Sequence, residues 1–232
     1  MPDDNDATLT AALATASFKR VVVSAGYVDV VSAVRRTIDK RPLGWALAAR
    51  VASVDPGRDP AERALGKLRG VVKTYRDEEK TPGLDALGYT TAATYRRKGG
   101  VYLKNARIPA GVTSDYQYLV HRRVMDVALD TAADALFDYV ARQLKVDATT
   151  GRLLKADGDA VDGNLTGKLR AALRVGADGA RASAVSFRVN RTDNVLSTNT
   201  LRGRVAVVPL LYPRRIEATF SFSNPALALL EA

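Results

Sequence analysis

The residues able to do chemistry are few, and their spacing argues against their doing it. His121 is the only histidine. It stands beside Arg122 and Arg123 in a helical stretch with no Cys and no acid partner outside that stretch, so it reads as a structural or solvated side chain; general-base work needs an orienting group. Gly163-Asn164-Leu165-Thr166-Gly167-Lys168-Leu169 approaches a phosphate-binding loop. It is one residue short between its glycines, has Leu where the metal-binding hydroxyl belongs, and follows a loop where the motif requires a strand. Asp157, Asp159 and Asp162-Gly163 approach a calcium loop, but Val161 occupies the fifth position and Lys168 the twelfth, where an acid should close the cage. These residues read as a turn cluster. Aspartates recur at 126, 130, 134 and 138, an every-fourth ladder that suits a solvated stripe or a docking face for a basic partner better than a metal site. No catalytic, cofactor-binding or metal-binding residue is therefore assigned, and no cofactor is expected.

Composition narrows the class further. The chain has 232 residues, 47% of them hydrophobic and 26% charged, enough for one large domain or two modest ones. With 6% aromatics, its core is expected to be Val, Leu and Ala packed closely. A cysteine count of 0 removes disulfides, thiolate nucleophiles and cysteine-type zinc sites. The opening MPDDNDATLTAALA is acidic and lacks the basic and apolar regions of a secretory signal, which fits assembly inside a cell. No apolar run is long enough to cross a membrane as a helix, and no membrane partner is expected. The excess of 35 Lys and Arg over 25 Asp and Glu gives +10, which suits an acidic or polyanionic partner and equally a basic solvated surface.

The elements that must position any site are dominated by Ser114 to Lys145. Tyr116, Val120, Val124, Val127, Thr131, Ala135 and Tyr139 recur at three- and four-residue steps, predicting one helix about 45 Å long. Ser114 and Gln117 have capping-box spacing, Asp115 complements the N-terminal dipole, and Arg142 and Lys145 complement the other end. Before it, Phe18 to Ser24 reads as a buried strand, Tyr27 to Asp39 as a helix and Leu43 to Val54 as a buried helix ended by Asp55-Pro56-Gly57 and Asp59-Pro60. Residues 61–88 read as loop with a short helix near Leu84 to Leu87. Residues 89–108 read as a hairpin with the basic tip Arg96-Arg97-Lys98-Gly99-Gly100. After the long helix, 146–164 reads as a loop and Leu165 to Val175 as a short helix exposing Lys168, Arg170 and Arg174. Strand patterns follow at Val185 to Val189 and Leu201 to Leu211, and Ile216, Ala218, Phe220 and Phe222 alternate in a last one. This predicts an α+β fold, a mixed or antiparallel sheet packed against the long central helix, with a C-terminal β-hairpin.

Three segments carry a family resemblance: WALAARVASVDPGRD at 45–59, GVYLKNARIPAGVTSDYQYLVHRRVMDVA at 100–128 and LRGRVAVVPLLYPRRIEATFSF at 201–222. In order they resemble the sheath proteins of contractile phage tails and related contractile injection systems, and 18–222 matches the family's order of elements. Family members are usually longer, with outer domains around the core, so the chain resembles a minimal sheath or part of a longer one. The resemblance implies an N-terminal arm at 1–17, a sheath core at 18–213 and a C-terminal strand or arm at 214–232. It implies a non-enzymatic structural subunit of a bacteriophage virion tail, assembled in the host cytoplasm. Such a subunit polymerises as hexameric rings in a helical stack around an inner tail tube, meets baseplate and terminator proteins, and contracts to drive the tube through an envelope. By the same resemblance Lys168, Arg170 and Arg174 are the tube-contact candidates. Residues 214–223 alternate cleanly at the chain end, where an unpaired edge needs a partner strand, so Ile216, Ala218, Phe220 and Phe222 are the inter-subunit strand candidates. Two other readings are a baseplate or tail-terminator subunit and a basic nucleic-acid-binding protein. Against the last, aromatics do not interleave with the basic residues, so no nucleic acid is expected.

Overall fold

The computed structural model of this chain describes residues 20–110 and 114–218. It is α+β, with antiparallel strand pairs, helices and a hairpin near the C-terminal end.

The N-terminal half gathers around Val28, Leu43, Leu47, Leu68, Val71 and Val101. β1 (Tyr27–Val31) is the centre of a sheet ordered β2-β1-β3, flanked by β2 (Ile38–Pro42) and β3 (Val71–Thr74). The helix expected over Tyr27 to Asp39 is thus a β-hairpin, since β-branched Val28, Val30 and Val31 also fit alternation; Val28 is buried and Val31 exposed. Helix α1 (Leu43–Ala52) follows directly, as expected. β4 (Ala92–Tyr95) and β5 (Lys98–Leu103) form the expected hairpin, with Arg97 at φ 65 in its two-residue turn. The short helix expected at Leu84 to Leu87 is a turn, and Ser24 makes a single parallel bridge to Thr90 in place of the strand expected there. Residues 18 and 19 of that expected strand lie outside the described residues.

The C-terminal half packs α2 (Leu119–Phe137), α3 (Lys155–Ala172) and the antiparallel pair β6 (Ala182–Val189) and β7 (Gly203–Pro209) around Val124, Ala128, Leu165, Leu169 and Phe187. A single turn, α4 (Val195–Thr198), joins the strands, its first turn capped by Asn194 Oδ1, which accepts from Ser197 N at 3.0 Å.

The long helix is shorter than its periodicity. It cannot begin before Leu119 because the preceding residues are held in bridges: Ile108 N donates to Gln117 O at 2.9 Å, and Leu119 N donates to Ala106 O at 3.0 Å. Ser114 Oγ accepts from Tyr116 N instead of capping a helix. At the other end Ala141 takes φ 60, and Leu154 N donates to Lys145 O at 3.0 Å, drawing residues 145–146 into a bridge. The loop expected at 146–164 is mostly helix. Gly158, Val161, Leu165 and Leu169 make one buried stripe along α3, and that packing outweighs the helix cost of Gly158, Gly163 and Gly167, about 1 kcal/mol each relative to Ala.

Candidate assembly interface

The hairpin of β6 and β7 has one closed edge and one open edge. The outward backbone groups of β6 are covered by α3: Val189 N donates to Asp162 Oδ1 at 2.7 Å, and Phe187 N donates to Thr166 Oγ1 at 3.0 Å. Arg191 in turn holds Asp162 and Asp159, at 2.8 and 2.7 Å. Of the resembled calcium-loop acids, Asp159 and Asp162 are therefore spent on Arg191 and the strand edge and Asp157 accepts from Lys145 N, while the resembled phosphate loop is the middle of α3. Across the pair, Arg188↔Arg204 and Ser186↔Ala206 face each other, and Asn190 N donates to Arg202 O, so the backbone of Gly203, Val205 and Val207 points away from β6. Among the described residues no strand pairs with that side of β7.

Among the described residues the chain does not turn back onto this edge after β7. It is carried past it by two anchors on the Asp55 to Pro60 loop. Tyr212 Oη donates to Gly57 O at 2.7 Å. Arg214 is held by buried Asp59 and by Asn105, with its guanidinium 3.9 Å from the centre of the Tyr118 ring. Beyond it Ile216 is 83% exposed. The strand expected at 216–222 is thus absent at Ile216 and Ala218, which belong to no strand, while Phe220 and Phe222 lie outside the described residues.

The same loop joins the two halves. Arg181 donates through Nε to Asp55 Oδ1 at 3.0 Å and through Nη2 to Oδ2 at 2.7 Å, and its remaining Nη1 donates to Ala172 O at the end of α3. The guanidinium beside Asp55 holds its carboxyl well down, at about 2. Arg123, on α2, donates to Val51 O and Val54 O at 3.1 and 2.6 Å, closing the C-terminal end of α1. Burial pushes the Tyr212 phenol up to about 12. A cavity of about 460 Å³ opens beside these groups, lined by Tyr116, Tyr118, His121, Arg181 and Tyr212. His121 makes a 3.1 Å contact to Asp115 O and packs edge-on to Tyr118, a structural placement.

The remaining sequence candidates are scattered. Lys168 and Arg170 are exposed on α3, and Lys168 reaches Asp138 of α2 at 3.2 Å. Arg174 lies just past the helix at φ 50, so the three do not form one helical face as expected. Of the aspartate ladder, Asp126 binds Arg20 and Arg122 and Asp138 binds Lys168, leaving Asp130 and Asp134 exposed. Sequence reasoning singled out none of Asp55, Arg181, Tyr212 or Arg214; the paired Asp-Pro steps at 55–60 were the one signal there.

No protein-family model matches the sequence, and no curated protein matches it. Solved structures do match. A chain of the anti-feeding prophage baseplate, symmetrised six-fold, aligns with 91% of this chain and 57% of its own at TM-score 0.65 and 16% identity. A chain of the contracted helical sheath of the same particle aligns with 90% of this chain and 58% of its own, at 0.64 and 16%. A chain of the contracted sheath complex of PVC, an extracellular contractile injection system, aligns with 90% and 58% at 0.65 and 12%. The chain has the fold of contractile-system subunits. It spans less than two thirds of the length of the chains it matches.

Proposed function

We propose that this protein is a structural, non-enzymatic subunit of a contractile tail sheath. It polymerises as hexameric rings around an inner tail tube and contracts to drive the tube through the target envelope. The observation that carries the reading is the open β7 edge beside a C-terminal segment that leaves its own sheet unpaired. One copy has both an unpaired C-terminal segment to give and an edge to receive, and backbone pairing between copies makes a continuous mesh. The contractile-system fold supports the same reading. The particle is a bacteriophage virion tail or a related injection machine assembled in the host cytoplasm.

Residues 1–17 and 214–232 act as arms, on either side of the core at 18–213. Ile216, Ala218, Phe220 and Phe222 are the residues that join a neighbour's sheet. Lys168, Arg170 and Arg174 contact an acidic tube; exposed pairs are worth about 0 to 1 kcal/mol each, strong in sum and individually releasable.

Electron micrographs of the purified protein test this. Tubules or stacked rings are expected, and removal of 219–232, which keeps the Tyr212 and Arg214 anchors, should leave a folded protein that forms none. Normal tubules from that truncation would overturn the strand-donation reading. The likeness to baseplate structures favours one second reading, a baseplate or terminator subunit, whose rings would close and never elongate. Replacing Lys168, Arg170 and Arg174 by Glu should stop the protein coating tubes without changing its circular dichroism. Unchanged coating by that variant would move the tube contact elsewhere.

A further inference from the structure

A subset of the exposed cations of the N-terminal half is gathered at one edge. Arg35 and Arg36 sit on the β1–β2 turn, and Arg96, Arg97 and Lys98 on or next to the β4–β5 turn. Lys67 and Arg69 lie between them, because Val31 N donates to Gly70 O at 2.8 Å and Leu68 N donates to Val101 O at 2.7 Å. Gly100 lies against the Lys67 side chain, closing the gap to the second turn. All of these side chains are exposed, and among the described residues none has a carboxylate partner. Val34, 92% exposed, projects from the first turn beside them.

The complementary surface is on the other half. The outer side of α2 carries Asp130 and Asp134, one turn apart, exposed and equally without a cationic partner among the described residues. On the adjoining ridge Leu129 and Phe137 are 42% and 77% exposed. Each patch therefore pairs unneutralised charge with uncovered apolar surface, and the signs are opposite.

We propose that the basic edge of one copy docks on the Leu129, Asp130, Asp134 and Phe137 face of α2 in a second copy. Two different surfaces meet, so the contact is heterologous and each copy can both give and receive it, which builds rings or helical stacks. A chain of net charge +10 repels its own copies, and setting the cationic edge against the acidic face offsets that repulsion where the copies touch. The inference rests on the assembly reading above and names a contact within it separate from the β7 edge.

The test is a charge swap read by sedimentation and electron microscopy. One variant carries Arg35→Glu, Arg96→Glu and Lys98→Glu, none at a positive φ; the other carries Asp130→Lys and Asp134→Lys. Each alone should self-associate about tenfold or more weakly than the natural chain, while an equimolar mixture of the two should recover association, because each then meets an opposite charge. Recovery in the mixture with no tubules from the natural chain upholds this contact and overturns the sheath reading. Tubules formed equally by the natural chain and both variants overturn this contact and leave the sheath reading standing. A monomeric natural chain overturns both. A mobility shift of duplex DNA abolished by the first variant alone, with self-association unchanged, assigns the basic edge to nucleic acid and overturns the proposal.

Discussion

Asp55 and Arg181, far apart in sequence, meet in a two-point ion pair, at 3.0 and 2.7 Å, that ties the loop after α1 to the end of α3. The arginine is mostly buried, and the pair sits where the two hydrophobic clusters of the fold adjoin. Losing one partner leaves the other half-buried and unpaired. Arg181→Ala should lower stability by about 1 to 3 kcal/mol, read as a lower urea midpoint at unchanged slope.

Acid should dissolve the same pair. The carboxyl is held near 2 against an ordinary value of 3.8, so its contribution is complete above about pH 4 and fades as pH falls toward 2. The urea midpoint of the natural chain should drop across that window. Asp55→Asn should be weaker at neutral pH and lose less between pH 4 and 2. Parallel curves for the two proteins would exclude Asp55 as a source of the acid sensitivity.

Tyr212 sets the opposite limit. Its phenol, raised from 10.0 to about 12 by burial, donates to Gly57 O, so its contribution is complete below pH 10 and fades between 10 and 12. Tyr212→Phe should cost about 0.5 to 1.5 kcal/mol at neutral pH and flatten the alkaline fall in melting temperature. Ultraviolet titration of the natural protein should show late-ionising tyrosine, since Tyr75 and Tyr95 are also raised, and Tyr212→Phe should remove part of that late phase.

Gly57 is fixed by what it touches. A Cβ there would lie 2.5 Å from Arg181 Cγ and 2.8 Å from Arg181 Cα, and the backbone atom cannot step aside as a side-chain tip can. Gly57→Ala should destabilise by about 1 to 3 kcal/mol, and combining it with Arg181→Ala should cost less than the sum, because both break one junction. Additive losses in thermal melts would mean that the two act separately.

Arg123 closes the end of α1 from a different helix. Arg123→Met keeps the apolar stem and removes the donors to Val51 O and Val54 O, and should cost about 1 to 3 kcal/mol. Hydrogen exchange should rise first in the last turn of α1. Protection lost evenly across the protein would argue against a local cap.

Local pattern alone determined the α+β class, α1 with its Asp-Pro stop, the β4–β5 hairpin with its basic turn and the strands β6 and β7, since each is set by alternation, helical spacing or turn residues within a few positions. The order of these elements was also enough to suggest a contractile sheath, and the structural likeness agrees with that fold. Tertiary contacts decided the rest. The apolar stripe of α2 runs past both its ends, but bridges from 106–108 and 153–154 take the flanking backbone out of the helix. α3 is helical through three glycines because its buried stripe fits β6, and Val28 is in a strand because β2 and β3 lie on either side of it. The Asp55, Arg181, Tyr212 and Arg214 junction was illegible in the sequence for the same reason. Its hydrogen-bonded partners are separated by as much as 155 residues, and only folding makes them neighbours.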